Sequence, residues 1–380
     1  MEGGFGLYIH WPFCQAKCPY CDFNSHVSDQ IEMDRWAKAY VAELERARHE
    51  TGPEVLETVF FGGGTPSLMS PDLVSEVLDQ VRRLWPMRNA PEITMEANPT
   101  SVEAEKFAAF RQAGVNRLSM GVQALNDVDL KRLGRLHSAR EAIEAFDIAR
   151  DAFDRVSFDL IYARQDQSLS EWKAELSQAL CYAVDHLSLY QLTIEPGTAF
   201  GMRFEKGKLP GLPSEDLGAD MYEATQEIME AQGMPAYEIS NHARPGAESA
   251  HNLIYWRGGS YVGIGPGAHG RLNVQGQRIA TETYLDPLAW LQAVEKKGSG
   301  ESKRESLSGA DQANEYLLMS LRLQEGTNLS RFGRLGGTLQ TERMDALIEQ
   351  GFLEHQDNIL TATREGRPLL NALLRELMVA

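Results

Sequence analysis

The sequence predicts an α/β protein: an open, incomplete six-unit βα barrel, followed by an α+β and helical region. Three observations predict it. Strand-like and helix-like patterns alternate over the first ~200 residues, as parallel βα units require. The residues with chemical potential fall just after, or at the end of, those strands, where eightfold βα barrels place their chemistry. Past Glu195-Pro196-Gly197-Thr198 the alternation stops.

The strand candidates are Leu7-Tyr8-Ile9, Thr58-Val59-Phe60-Phe61, Ile93-Thr94-Met95, Arg117-Leu118-Ser119-Met120, Val156-Ser157-Phe158 and Leu187-Ser188-Leu189-Tyr190. Between the first two, Trp36, Tyr40, Val41 and Leu44 share one helical face, and Gly52 stops the helix. The next helix opens Ser70-Pro71-Asp72, an N-cap with proline at the first helical position. The third opens at Thr100 with Glu103 three residues on, a capping box, and ends at Gly114. A Gly/Pro-rich passage from Gly197 to Pro213 links to a helix around Asp216–Ala231. Then come Tyr237-Glu238-Ile239-Ser240 and the glycine-rich Gly263-Ile264-Gly265-Pro266-Gly267. The last ~80 residues read as mainly helical, and Ala346–Leu353 with Ile359-Leu360-Thr361 resembles a winged-helix arrangement. The expected divisions are 1–200 for the barrel, 201–295 for the α+β extension and 296–380 for the helical, winged-helix-like end.

Formal charge is −17, with 54 acidic against 37 basic residues. A surface this acidic repels phosphate backbones, which argues against nucleic acid as a partner. No stretch approaches ~20 uninterrupted apolar residues, so no transmembrane segment is expected. Met1-Glu2-Gly3-Gly4 has neither a basic region nor an apolar core, so no signal peptide is expected and the cytoplasm is the expected compartment.

Of four cysteines, three form Cys14-x-x-x-Cys18-x-x-Cys21. In a reducing compartment such a cluster reads as a metal site, whereas Cys181, in an apolar run, reads as a buried small hydrophobe. Thiolates suit zinc and iron–sulfur clusters alike. A structural zinc would draw a fourth ligand from close by, and His10 and His26 lie outside any usual finger spacing. Three thiolates on a [4Fe–4S] cluster leave one iron open, where the amino and carboxylate groups of S-adenosylmethionine can chelate. An electron from the cluster can then cleave the sulfonium C–S bond to a 5′-deoxyadenosyl radical.

Other strand ends carry further candidates. Gly62-Gly63-Gly64-Thr65-Pro66 follows the second strand, and its missing Cβ atoms let backbone groups approach a ligand. Glu96 can accept from an ammonium or a ribose hydroxyl. Gln123 ends the fourth strand, Arg135 can grip a carboxylate bidentately, and Asp159 can take a ribose. Each alone fits a surface group or a cap. Their recurrence at successive strand ends argues for a site.

Together these residues resemble the oxygen-independent coproporphyrinogen III dehydrogenase family of radical S-adenosylmethionine proteins, and within it the HemW-type haem chaperones. The telling segments are Tyr8-Ile9-His10-Trp11-Pro12-Phe13-Cys14, Lys17 to Ser25, and His251-Asn252-Leu253-Ile254-Tyr255-Trp256. The resemblance implies cofactor contacts at Tyr8, Tyr20, Gly63, Gly64, Thr65, Glu96, Gln123, Arg135 and Asp159, with weaker matches at Gln191 and His269. It implies a protein that binds haem and passes it to haem-accepting proteins, served by an external electron donor. If the His251 segment is helical, His251 and Tyr255 share a face, making His251 the haem-ligand candidate, with His269 its rival. Phe23 stands where the dehydrogenases carry a fourth cysteine, and they have a longer N-terminal segment. On that ground the sequence argues against coproporphyrinogen dehydrogenase activity, while cleavage of S-adenosylmethionine stays open. Ala163-Arg164-Gln165 replaces the Gly-Leu-Pro usual in relatives.

Overall fold

Eleven strands form one mixed sheet in a computed structural model that describes residues 2–28 and 30–378. Met1, Asp29, Val379 and Ala380, which the expected divisions include, lie outside the described residues. The N-terminal half supplies β1 (Phe5–Trp11), the two-residue β2 (Phe13–Cys14) and β3 (His26–Val27), then β4 (Leu56–Gly63), β5 (Met87–Ala97), β6 (Arg117–Gln123), β7 (Arg155–Tyr162) and β8 (His186–Gln191). The other half adds β9 (Asn241–Ala243), β10 (Ser260–Ile264), β11 (His269–Val274), β12 (Gln277–Thr283) and β13 (Glu301–Ser306). The sheet order is β13-β12-β11-β10-β1-β4-β5-β6-β7-β8-β9. All six predicted strands therefore lie side by side in chain order, each parallel to its neighbour. Their apolar runs are explained by burial on both faces: in β1 only Tyr8 is partly open.

The unforeseen feature is β10. It runs parallel to β1, with Tyr8 opposite Gly263, so β1 is an interior strand. Three antiparallel strands extend the sheet beyond it.

Helices cover the sheet where the periodicity placed them. α1 (Met33–Thr51) buries Trp36, Tyr40, Leu44 and Ala47 and stops at Gly52, whose φ is +68°. Trp36 stacks on Trp290 of the helix Pro287–Lys297, with ring centroids 5.4 Å apart. In α2 (Pro71–Leu84) the Ser70 hydroxyl accepts from the Leu73 amide at 3.2 Å.

Three expectations need correction. The third helix is two pieces, α3 (Ser101–Ala104) and α4 (Phe107–Ala113), ending at Gly114. Thr100 caps α3, but Glu103 does not return to close a box. Its carboxylate turns into the core and takes the Asn98 amide at 2.8 Å. The Gly197–Pro213 passage contains α8 (Ala199–Glu205), capped by Thr198. Cys181 is exposed, because it sits just past the end of the helix Leu169–Leu180, whose buried face is Trp172, Leu176 and Ala179.

The C-terminal part has its own apolar core around Leu317, Leu321, Phe332, Leu353 and Leu360. It is built from the helices Gly309–Ser320, Leu329–Arg334, Thr341–Glu349 and Leu370–Leu377 and a small three-stranded sheet. No helix among the described residues is long and apolar enough to cross a membrane.

Candidate functional site

Cys14 ends β2, and Cys18 and Cys21 sit in the loop that β2 and β3 close by pairing Phe13 with His26 and Cys14 with Val27. Within that loop the Cys21 amide donates to the Cys18 carbonyl at 3.1 Å, a tight turn. Cys14, Cys18 and Cys21 all line one cavity of about 440 Å³ at the C-terminal ends of the parallel strands. Among the described residues no three His, Cys, Asp or Glu side chains converge on the position of a single metal ion. A four-iron cluster asks for something else: each thiolate meets a different iron, so its ligands surround a wide void. Burial pushes the Cys14 and Cys21 thiols up, so metal uptake must displace their protons.

The glycine turn after β4 clamps the cysteine loop. The Gly64 amide donates to the Trp11 carbonyl at 2.7 Å and the Thr65 amide to the Phe13 carbonyl at 2.9 Å. A Cβ on Gly63 would lie 2.5 Å from the His10 ring, and one on Gly64 would lie 2.8 Å from the Phe13 carbonyl. These glycines thus permit close approach of the chain's own segments first. Both also line the cavity itself.

Each parallel strand then contributes to the cavity. Glu96, past the middle of the sheet on β5, accepts from the Gly63 amide at 3.2 Å. Burial, then the nearby Asp159, pushes its carboxyl up to about 8. Burial likewise raises Asp159 to about 6 against the opposing pull of Ser188 and Arg117. Two neighbouring carboxyls that resist ionisation are poised for a cationic or hydroxyl-bearing ligand. Gln123 adopts φ +71°, a left-handed turn that ends β6 at the cavity. Gln191 from β8 completes the wall, and Tyr20 stands on the cysteine loop.

Arg135 departs from expectation. Its Nη1 donates to Cys18 Sγ at 3.4 Å and its Nη2 to the Gly121 carbonyl at 2.9 Å and to Asn98. Nε is buried and without a partner, and Nη1 keeps a second hydrogen. Both hydrogens of Nη2 are committed within the protein, so a grip through that nitrogen is closed to a ligand. The Arg135 guanidinium, the two buried carboxyls and the three thiols fit a cluster and a zwitterionic ligand.

Nine of the eleven expected cofactor contacts share this cavity: Tyr20, Gly63, Gly64, Thr65, Glu96, Gln123, Arg135, Asp159 and Gln191. Tyr8 and His269 do not. They line an adjoining cavity of about 470 Å³, joined to the first at Phe23, Gly63 and Glu96. Its wall is aromatic, with Tyr255, Trp256 and Tyr261. His10 belongs to this second cavity: its Nε2 donates to the Asn24 carbonyl at 2.9 Å, leaving Nδ1 to accept from Tyr8 at 3.0 Å.

His251 does not face either cavity. Its segment is helical, α10 (Ala250–Trp256 once α5 to α9 are counted as Asp127–Arg132, Ala139–Ala152, Leu169–Leu180, Ala199–Glu205 and Glu215–Ala231), and it does share a face with Tyr255. Both ring nitrogens are engaged, by Thr58 Oγ1 at 2.7 Å and by the Tyr255 hydroxyl at 2.6 Å. Burial lowers its pKa to about 3, and it stacks on Phe60 at 4.9 Å. His251 therefore has no free ring nitrogen for iron in this arrangement, whereas His269 lines the adjoining cavity beside His10, and His137 lines the first.

Sequence reasoning passed over Asn98, Ser119 and Tyr190, which also line the first cavity. Asn98 and Tyr190 follow or end strands, the one signal that marked the others.

The loop after Asp159 has a physical account. Ala163 takes φ +58°, a left-handed conformation that favours glycine, and Arg164 is buried against Asp129 at 3.0 Å and against Glu175. Glu175 in turn accepts the Leu125 amide at 2.7 Å, tying the loops after β6 and β7 together.

A sheet of parallel strands with three cysteines and a glycine turn at its C-terminal ends defines a radical S-adenosylmethionine protein. The model of the Radical SAM superfamily matches residues 8–177, and that of the HemN C-terminal domain matches residues 307–369. The chain is 39% identical to the Heme chaperone HemW of Escherichia coli, over 98% of each chain. It is 38% identical to the mitochondrial Radical S-adenosyl methionine domain-containing protein 1 of Bos taurus, over 98% of this chain and 87% of that one. Coproporphyrinogen III oxidase (HemN) of Escherichia coli, at 21% identity, shares the fold with a TM-score of 0.82, over 100% of this chain and 91% of that one. The chain belongs to the radical SAM superfamily, as a close relative of the HemW/HemN family of chaperones and oxidases. Membership implies a site for S-adenosylmethionine and a [4Fe–4S] cluster.

Two expectations fall with these findings. The argument against coproporphyrinogen dehydrogenase activity does not stand, because an oxidase has this fold over the whole chain. A purely cytoplasmic assignment does not stand either, because the cattle relative is named as mitochondrial.

Proposed function

We propose that this protein is a haem chaperone that binds haem and passes it to acceptor proteins, using a [4Fe–4S] cluster with exchangeable S-adenosylmethionine. The observation that carries the proposal is the 39% identity with a haem chaperone over 98% of both chains. Cys14, Cys18 and Cys21 would hold the cluster. When bound, cluster and S-adenosylmethionine together supply one-electron cleavage of the sulfonium. The chain's own part is positional. Arg135 offers its remaining donors to a carboxylate, Glu96 and Asp159 receive ammonium or hydroxyl groups, and Gln123 and Gln191 flank them. Tyr8 and His269 face the adjoining aromatic cavity, whose flat walls suit a planar ring ligand. The consecutive parallel strands support an incomplete six-unit barrel over 1–200. The separate apolar core supports a winged-helix-like unit within 296–380, with 201–295 between them.

The fold shared with HemN favours a second reading, oxidative decarboxylation of coproporphyrinogen III. Anaerobic reconstitution followed by two parallel assays tests both. A Soret shift on haem titration, with haem passed to an apo-acceptor, supports the chaperone. Protoporphyrinogen formed with reductant and S-adenosylmethionine, without haem uptake, overturns it in favour of the second.

A further inference from the structure

We infer that Asn98 is a positioning residue that holds two hydrogen-bond donors against Cys14 and Cys18, and thereby sets the reduction potential of the bound cluster. The inference rests on the proposed cluster site.

Asn98 lies just beyond β5. Its Nδ2 donates to Thr65 Oγ1 at 3.1 Å, and its Oδ1 accepts from Arg135 Nη2. Thr65, having accepted there, spends its hydroxyl proton on Cys14 Sγ at 3.4 Å. Arg135 spends Nη1 on Cys18 Sγ at 3.4 Å. An arch therefore runs Cys14–Thr65–Asn98–Arg135–Cys18, with every donor matched to an acceptor. The amide orientation follows from its partners: turned over, it would set NH₂ against a guanidinium and an oxygen against a carboxylate. The misdirected capping residue now has a purpose. Buried Glu103 accepts from the Asn98 amide at 2.8 Å and from Nδ2 at 3.4 Å, and seats the keystone. Cys21 stands outside the arch, with the Ser25 hydroxyl 4.0 Å away.

Hydrogen bonds to cluster sulfurs are among the levers that set iron–sulfur potentials. Reduction adds negative charge that the thiolates share, so donors stabilise the reduced form more and raise the potential. Without Asn98 the Thr65 hydroxyl loses the donor that aims it. Arg135 keeps only its Gly121 tether on Nη2.

The test is an EPR-monitored redox titration of the full reconstituted chain without S-adenosylmethionine. Asn98→Ala with its iron retained is expected to show a roughly tenfold lower reduced-to-oxidised ratio at the wild-type midpoint, about 59 mV for one electron. Thr65→Val, which removes only the Cys14 donor, should move it the same way. The double variant should fall short of the sum, because both changes cut one branch. Wild-type midpoints in both variants overturn the inference alone. If Asn98→Ala loses iron, Thr65→Val decides, and an unmoved midpoint there overturns it. A wild-type chain that takes up no four-iron cluster overturns the cofactor reading, and the inference with it.

Discussion

Glu96→Gln should stabilise the metal-free protein increasingly as pH rises. In the fold this carboxyl is pushed from 4.5 up to about 8, first by burial and then by Asp159. A group whose folded pKa is raised stabilises fully below its unfolded value, and that contribution fades as pH climbs through the folded one. The window is therefore pH 4.5 to 8. At about 1.4 kcal/mol per pH unit, the fold gives up about 3 kcal/mol by pH 7, an upper bound because the cavity admits water. Glutamine cannot ionise and escapes this loss, while its oxygen still accepts from the Gly63 amide. Buried His10, His137 and His242, lowered to about 4, and His251, lowered to about 3, act oppositely. They cost stability as pH falls below 6.5, but both proteins carry them and the difference removes them. Urea unfolding of both at pH 5, 6, 7 and 8 measures it. The advantage of Glu96→Gln should widen by up to about 3 kcal/mol across that range. A constant difference would refute the reasoning.

Three further outcomes follow from the same geometry. Arg164→Leu leaves Glu175 buried without its cation and should cost about 3–5 kcal/mol in urea unfolding; a change under about 1 kcal/mol would show the pair to be dispensable. His269→Ala should weaken haem binding at least about tenfold, or about 1.4 kcal/mol, in a Soret titration. His251→Ala should mainly lower stability, by about 2–4 kcal/mol, because the Thr58 and Tyr255 hydroxyls lose their shared partner. The reverse pattern would restore His251 as the ligand.

The strands and caps were legible because their causes are local. Val59 and Phe61 lie in an apolar run, Leu118 and Met120 alternate with polar residues, and Ser70-Pro71-Asp72 announces a helix start in three residues. The cysteine spacing is local too. What escaped depends on distant partners. Nothing near Ser260 reveals that β10 pairs with β1, some 250 residues away in sequence by its register with Phe5. Glu103 carries the spacing of a capping box, but Asn98 and Ser67 offer it buried donors that outcompete the helix terminus. Arg135 looked like a free fork because the sequence cannot show that Cys18, Gly121 and Asn98 engage both of its terminal nitrogens. Cys181 shows the same limit in reverse: an apolar run placed it inside, and the end of a helix turned it out.

Site-selective Mössbauer spectroscopy of the reconstituted protein tests the central claim most directly. Three thiolates around one void leave one iron unlike its three companions, and adding S-adenosylmethionine should shift that iron alone. Four irons that ignore the addition, or a purified metal that is zinc, would contradict the account.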